Sequence, residues 1–434
     1  MKKKYFNRTG LMAAVILLPS LFFALPVTGL ANSESSDIIL LFCPESDINR
    51  QRSVLSLMPK DSLLWHENGA ALLRVEAKSA PLWLSYLRED SAVAAADYDA
   101  PVTALGISQD AYSDAQWGLN NDGSYSYIAD MNTSTVLSTS DIDMNIPEAW
   151  ALYSSMLSSP REVVVAVIDT GIDINHPDLA ANIWVNPGEI PGDNIDNDNN
   201  GFIDDTSGWD FYNGDNTVCH YDTDGIHTLA SDNDDHGTHV AGIIAAVKDN
   251  TIGIAGVASC ANIKIMPLKI HGGSKGSGTI ANAVRAIRYA TAMDADICNI
   301  SWGTEKANTA LEEAIRQSDM LFVCAAGNSG TNNNSAPVYP ANYGFDNVLS
   351  VTFIDASGNM SKKSNYGTQT VDLAAPGIHI YSTCVGGYVS LSGSSMAAPH
   401  VSGVAALLYS YGDNLYPSNI KEIITETLKP VASL

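Results

Sequence analysis

The chain has 434 residues, with 48 acidic and 23 basic side chains and a formal net charge of −25. Such a surface repels nucleic acid, which excludes that class of partner. It suits a protein kept soluble by charge and supplied with oxygen ligands for cations.

The N-terminus reads Met1-Lys2-Lys3-Lys4, followed by an apolar run from Leu11 to about Leu30. A basic start, an apolar middle and the small-residue exit Gly29-Leu30-Ala31 predict a secretory signal peptide over residues 1–31. The run approaches spanning length, so a retained anchor is the alternative. Pro19, Pro26 and the small-residue exit favour cleavage. The expectation is a secreted protein with no membrane association once the signal is removed.

Residues 32–106 read as a small α+β unit. Strands are predicted over 37–42, 70–75 and 92–97, with a helix over 80–90. No catalytic constellation falls there. Residues 107–145 are polar and rich in Ser, Thr and Asn, which predicts a surface arm. From residue 146 to the C-terminus strands and helices alternate. Strands are predicted over 161–168, 263–270, 296–302 and 320–325, and helices over 280–293, 310–317 and 417–428. That alternation predicts an α/β fold: a parallel sheet with helices on both faces.

Three places in this second part carry chemistry. The run Arg161–Ile168 is short, apolar and β-branched, and it ends in Asp169-Thr170-Gly171. A carboxylate at the carboxyl end of a buried strand lies where open α/β sheets place their sites. In Asp234-Asp235-His236-Gly237-Thr238-His239 a histidine follows two candidate N-caps and opens a helix. In Leu391-Ser392-Gly393-Ser394-Ser395-Met396-Ala397 small residues allow a tight turn, and Val401, Val404, Leu407 and Leu408 then mark one helical face. Ser395 therefore sits at a helix start, where free N–H groups and the dipole favour a developing anion. An Asp, a His and a Ser at three element ends are the parts of an activated nucleophile.

Between Asp193 and Asp205 acidic and amide side chains alternate ahead of Gly201. Alternation aims successive oxygens at one centre, and hard oxygen ligands suit Ca²⁺ over zinc. Asp196, Asp198, Asn200 and Asp205 are the candidate ligands. The sequence also has six cysteines. Cys298 and Cys324 lie in apolar runs and read as buried thiols. Cys219 and Cys260 are a candidate disulfide that sequence does not establish.

The Asp, His and Ser blocks, in that order, resemble those of the subtilisin-like serine peptidases, whose motif order is itself a standard reference. The resemblance runs from about Gln116, where Gln116-Trp117-Gly118-Leu119-Asn120-Asn121 resembles the start of many mature bacterial members. It implies a serine endopeptidase acting on protein or peptide substrates, with Asp169, His236 and Ser395 as the triad. Ser394 stands where the family usually has threonine. In Leu321–Gly330 the resemblance makes Asn328 an oxyanion donor together with the Ser395 N–H. Asn299-Ile300-Ser301-Trp302-Gly303 resembles the strand that pairs with substrate, and Ala325-Ala326-Gly327 the opposite wall. Substrate contacts are therefore expected at Ser301, Trp302, Gly303, Ala326 and Gly327. No acidic residue lies in either stretch, so a strict preference for basic P1 residues is not expected.

The resemblance further makes residues 32–106 a propeptide, which assists folding and inhibits the site as an intramolecular partner. The maturation cut is expected between Ala104 and Asp114. Asp178 matches a family calcium ligand, with the loop 247–254 as its partner. The mature form is expected to be a monomer. Family members continue through a short terminal segment, so the chain is expected to be truncated at Leu434. Three other readings compete. One is an inactive homologue acting as a calcium-dependent binding protein, against which all four catalytic positions are filled. A metallohydrolase built on His236 and His239 lacks the Glu of His-Glu-x-x-His and a third ligand. An α/β-hydrolase esterase is disfavoured by Ala397 and by the triad order.

Overall fold

The computed structural model describes residues 35–44, 46–67, 69–98, 108–129, 134–156, 160–220, 234–273, 276–412 and 415–431. The predicted signal peptide and the first part of the Ala104–Asp114 junction lie outside these residues. The chain divides into two compact units, residues 1–104 and 105–434.

The first unit runs β1 (Ser35–Phe42), α1 (Ile48–Leu55), β2 (Leu63–Glu67), β3 (Ala70–Glu76), α2 (Ala80–Glu89) and β4 (Val93–Tyr98). Its strands form an antiparallel sheet in the order β2-β3-β1-β4. Alternation in β1 and β3 turns Ile38, Leu40, Leu73 and Val75 onto Leu84 and Leu87 of α2. Two elements have no clear sequence signal. Helix α1 is polar over most of its length, and Asp47 caps it by accepting from the N–H groups of Asn49 and Arg50, both at 2.8 Å. Strand β2 is short and leaves Leu63 and Trp65 exposed.

The second unit begins with a hairpin of β5 (Ser126–Ala129) and β6 (Ser134–Leu137). Then follow α3 (Ile146–Met156), β7 (Val163–Asp169), β8 (Trp209–Asp210), α4 (Asp235–Ala245), β9 (Ile263–Lys269), a small ribbon of β10 (His271–Gly272) with β11 (Ser277–Gly278), and α5 (Ile280–Ala292). The chain continues through β12 (Ile297–Ile300), α6 (Thr309–Arg316), β13 (Leu321–Ala325), β14 (Val348–Ile354), β15 (Leu373–Pro376), the hairpin β16 (Ile380–Cys384) and β17 (Gly387–Leu391), α7 (Ser394–Tyr411) and α8 (Pro417–Glu426).

Seven strands form one sheet in the order β15-β14-β13-β12-β7-β9-β8, and every pairing is parallel. Strand β7 is buried throughout. Val163, Val165 and Val167 face one core with residues of α4, α7 and α8, while Val164, Ala166 and Ile168 face another with residues of α5 and α6. This two-sided cover is why β7 reads as a continuous β-branched run.

Two expectations change. The stretch 107–145 is not simply a surface arm. Trp117 and Leu119 are buried, and the Asn121 amide donates to the carbonyls of Thr139 and Ala356. Its polar composition serves these backbone bonds. Helix α7 is buried on nearly all sides rather than on one face, since it runs through the core against β12, β13, β14 and α4. Among the described residues no helix is long and apolar enough to cross a membrane.

Candidate active site

Asp169 is the last residue of β7 and is 2 % exposed. Its Oδ1 accepts from the Thr170 N–H at 2.7 Å and lies 2.7 Å from Nδ1 of His236. His236 is the second residue of α4. Strand end and helix start meet this closely because Gly237 has no side chain. A Cβ there would come within 2.2 Å of the Gly171 carbonyl and 3.2 Å of the Asp169 Cβ. The Gly237 N–H also donates to Thr170 Oγ1 at 3.0 Å.

Burial works against the charge on Asp169, but the charge and hydrogen bond of His236 outweigh it and hold the carboxyl below its usual range. The same balance acts on His236. Burial works against the cation, and Asp169 prevails, holding the imidazole above its usual value. With Nδ1 committed to the carboxylate, Nε2 is the ring nitrogen left for a proton from elsewhere. The other histidine of this stretch, His239, is buried with Nε2 near the carbonyls of Ile380 and Val389, at 3.0 and 3.1 Å, and burial pushes it down to about 3. It contributes no second ligand to a metal beside His236.

Ser395 is the second residue of α7. Gly393 precedes the helix at φ 152°, and a Cβ there would press on the Asn328 amide at 3.2 Å. Ser395 Oγ donates to the Ser301 carbonyl at 2.9 Å, not to His236, and Ser301 Oγ donates to the Ser395 carbonyl at 3.0 Å. This reciprocal pair ties the residue after β12 to the helix start. Asn299 braces it, donating to Ser301 Oγ at 3.0 Å and accepting from Ser402 Oγ at 2.8 Å.

Asn328 follows β13. Its Oδ1 accepts from the backbone N–H and the hydroxyl of Ser394, at 2.8 and 2.9 Å. Two donors fix the amide's orientation and leave Nδ2 free on an exposed side chain. Ser394 Oγ also accepts from the Gly327 N–H at 3.1 Å, so the hydroxyl at this position aligns the Asn328 turn with the helix start. Gly327 has φ 112° and room for no Cβ beside Asn365. The Ala326 carbonyl is taken by the amides of Asn333 and Asn365, which sequence reasoning does not single out. Trp302 donates through Nε1 to the Ile168 carbonyl at 2.9 Å, and its ring meets that of His271 edge-on at 5.9 Å. Gly303 abuts Val338, where a Cβ would approach to 2.6 Å.

The acidic loop departs from its predicted ligand set. Glu189, Asp198 and Asp205 each offer an oxygen within 4.8 Å of the others. Glu189 lies ahead of the alternating run and arrives only through folding. Asp196 does not join them. Its oxygens accept from the N–H groups of Asn200 and Gly201, at 3.0 and 2.9 Å, and close the turn. Asn200 enters with its amide nitrogen, donating to Asp198 and Asp205 at 3.0 and 2.9 Å, and Asn186 does the same. Tyr289 of α5 donates to Asp205.

Asp178 lies elsewhere, fully buried, with its carboxylate accepting from Asn250 Nδ2, the Ile254 N–H and Tyr388 Oη at 2.7, 2.9 and 3.2 Å. Burial pushes its carboxyl up against these bonds. The candidate disulfide is not formed: Cys219 is buried, Cys260 is half-buried, and they are not linked. Cys298 and Cys324 are buried thiols, as the apolar runs predict.

The model of the subtilase family matches residues 160–433. Thermitase of Thermoactinomyces vulgaris is 37 % identical over 290 residues, spanning 66 % of this chain and 86 % of thermitase. Subtilisin DY of Bacillus licheniformis is 35 % identical over 270 residues, covering 61 % and 83 %. The major intracellular serine protease of Bacillus subtilis (strain 168) is 36 % identical over 282 residues, covering 64 % and 76 %. Among solved structures, a protease from Pseudoalteromonas arctica PAMC 21717 aligns with a TM-score of 0.55 at 29 % identity, over 75 % of this chain and 93 % of the other. With the parallel α/β fold, these similarities make the chain a member of the subtilase family, a serine-type endopeptidase acting on protein substrates.

Proposed function

We propose that Asp169, His236 and Ser395 are the triad of this endopeptidase, with Asn328 and the Ser395 N–H as the oxyanion donors. The supporting observation is the 2.7 Å contact between Asp169 Oδ1 and His236 Nδ1, which leaves Nε2 as the base. The reaction requires Ser395 Oγ to leave the Ser301 carbonyl for Nε2. Oγ then attacks the scissile carbonyl while Nε2 takes its proton, and Asp169 stabilises the imidazolium without accepting a proton. The oxyanion meets Asn328 Nδ2, already aimed by Ser394, and the N–H groups at the start of α7. His236 returns its proton to the leaving amine. Water next enters by the same base and releases the acyl group from Ser395. Ser301, Trp302 and Gly303 on one side, and Ala326 and Gly327 on the other, hold the substrate as an added strand. The test is fluorophosphonate labelling of the folded protein followed by peptide mapping. Label on Ser395 supports the assignment. Label on another residue rejects it, and no label at all favours the inactive homologue.

The remaining assignments belong to the same reading. Residues 1–31 direct secretion, and residues 32–106 are a propeptide removed by the enzyme itself. Ca²⁺ fits the donor set of Glu189, Asp198 and Asp205, which is all hard oxygen with neither imidazole nor thiolate. Glu189, Asp198 and Asp205 would hold the ion, which would neutralise their charges in a loop that Tyr289 already ties to α5 through Asp205. Asp178 with the 247–254 loop is a second candidate site for the ion.

A further inference from the structure

Behind the Asp169–His236 contact lies a second ion pair that the mechanism above does not use. Lys269, the last residue of β9, has a side chain 0 % exposed, and the Asp234 carboxylate it meets is 1 % exposed. The Lys269 ammonium donates to Asp234 Oδ1 and to the Thr170 carbonyl. Asp234 precedes α4 but spends no oxygen on capping it. Its Oδ2 accepts instead from the His220 N–H at 2.7 Å. The ammonium thus holds the residue after Asp169 and the residue two before His236.

The surroundings are built to admit this pair. Lys269 is in register with Asp169 across β7 and β9, and the Ile270 N–H donates to the Asp169 carbonyl at 2.9 Å. Gly171 lies directly under the carboxylate, where a Cβ would fall 2.6 Å from Asp234 Oδ1. The Asp234 carbonyl accepts from Thr238 Oγ1 at 2.8 Å, and Thr238 Oγ1 accepts from the Asp173 N–H at 3.0 Å, which closes a loop back to the segment after β7. A buried ion pair is a poor route to stability, since apolar residues of similar volume do as well or better. What it supplies is directional placement of two elements.

We propose that the Lys269–Asp234 pair is a positioning device for catalysis, locking the Asp169–Thr170 strand end to the start of α4 so that carboxylate and imidazole stay in register. This role rests on the triad reading. Lys269 and Asp234 touch neither substrate nor the reacting atoms; they act through Thr170 and the helix start.

The test uses the full-length chain with Lys269→Met/Asp234→Asn, which removes both charges together and keeps an acceptor for His220, and with Asp234→Asn alone. Folding is checked by melting in a Ser395→Ala background. The double variant is expected to fold and to lose about 10- to 100-fold in kcat, the scale of a misplacement remote from the chemistry, with KM within about twofold. The acid limb of its kcat–pH profile shifts to lower pH, because a loosened carboxylate no longer holds the imidazole up. Asp169 is the acidic group that acts on His236, and burial lowers the pKa of the titratable neighbours His239 and His271. In the Ser395→Ala background, the downfield proton resonance of His236 Nδ1–H moves upfield. Asp234→Asn, which leaves the buried Lys269 ammonium without its counter-charge, shows the same changes at least as strongly and melts below the double variant. A folded double variant with wild-type kcat, limb and resonance overturns the proposal. So does unfolding of both variants, which makes the pair a stability element. Activity surviving in His236→Ala would instead reject the triad reading; a dead His236→Ala beside a wild-type-like double variant rejects the positioning role alone.

Discussion

Removing calcium should melt this protein at lower temperature before it alters the chemistry. The perturbation is EGTA on Ser395→Ala, which takes self-digestion out of the measurement. Three carboxylates converge within 4.8 Å in a loop pinned to α5 through Asp205 and Tyr289. An ion bound only by the folded state adds RT ln(1 + [L]/Kd), about 2.7 kcal/mol at a hundredfold excess over Kd. For a unit of this size each kcal/mol moves the melting temperature by roughly 1.5 °C, so the expected shift is about 4 °C.

The two candidate sites separate in this assay. Asp178 offers a single carboxylate, met by three internal donors, whereas the loop brings three carboxylates within 4.8 Å of one another, although these also accept from the Asn186 and Asn200 amides, Tyr289 and the N–H groups of Asn197, Asp198 and Asp204. Asp198→Asn/Asp205→Asn should therefore abolish most of the calcium-dependent shift, and Asp196→Asn should leave it in place. The measurement is calorimetry with millimolar calcium against EGTA. Equal melting temperatures in the two conditions refute the reasoning, and a shift lost in Asp196→Asn but kept in the double variant refutes the ligand assignment.

Ser395→Ala should fold, fail to hydrolyse a peptide anilide, and keep residues 32–106 when expressed in a host lacking other proteases; normal maturation of this variant, read by N-terminal sequencing, counts against self-processing. Asn328→Ala should lower kcat by ~10²–10³ with little change in KM, a magnitude carried over from subtilisin itself. Ser394→Ala, which removes the hydroxyl between Gly327 and Asn328, should lose less, about tenfold, because the Ser394 N–H still holds Asn328 Oδ1; steady-state kinetics distinguish the two. Activity requires neutral His236, and its folded value is raised above the ordinary 6.5, so the acid limb of kcat/KM should lie above 6.5. The linked stability runs by the same signs: the His236 contribution is full below the ordinary imidazole value and fades as pH rises through the folded one, while that of Asp169 is present above the ordinary carboxyl value and is lost as pH falls through its lowered one.

What is legible in the sequence follows from locality. The fold class is readable because β7 is a continuous apolar run and its neighbours alternate with amphipathic helices. Asp169, His236, Asn328 and Ser395 each stand at an element end, beside glycines or small residues that permit close approach. Groups that meet only through folding are not readable. Glu189 reaches Asp198 and Asp205 from outside the alternating run, and Asp196 fits the alternation yet closes a turn. Lys269 ends an apolar strand that also contains the half-buried Lys264, and nothing local separates a fully buried ammonium from one at the surface. The polar stretch after Gln116 reads as an arm because its amides bond to backbone rather than to water. Helix α7 reads as having one apolar face because small residues such as Ala397, Gly403 and Ala405 carry little hydrophobic signal although all are buried.

The order of the strands explains why residues so distant in sequence share one site. Strands β13, β12 and β7 are consecutive neighbours in the sheet, all parallel, so their carboxyl ends lie on one edge. From those ends issue Asn328, Ser301 and Asp169. Neighbouring strands are about 4.8 Å apart, so the edge from β13 to β7 spans roughly 10 Å. On the proposed reading, a scissile carbonyl set over β12 has Asn328 on one side and the Asp169–His236 pair on the other. Helix α7 runs against β12 and β13, and its first turn is held at the middle strand by the Ser301–Ser395 bonds and at the outer strand by the Asn328–Ser394 bonds. The proposed nucleophile is thus fixed from the side of Asn328, and the proposed base is fixed separately, through β7 and α4. Relative placement of those two halves rests on the contact between α4 and α7 and on the bonds at the start of α4, where the Lys269–Asp234 pair acts beside the Gly237–Thr170, Asp173–Thr238 and Val385–Asp235 bonds.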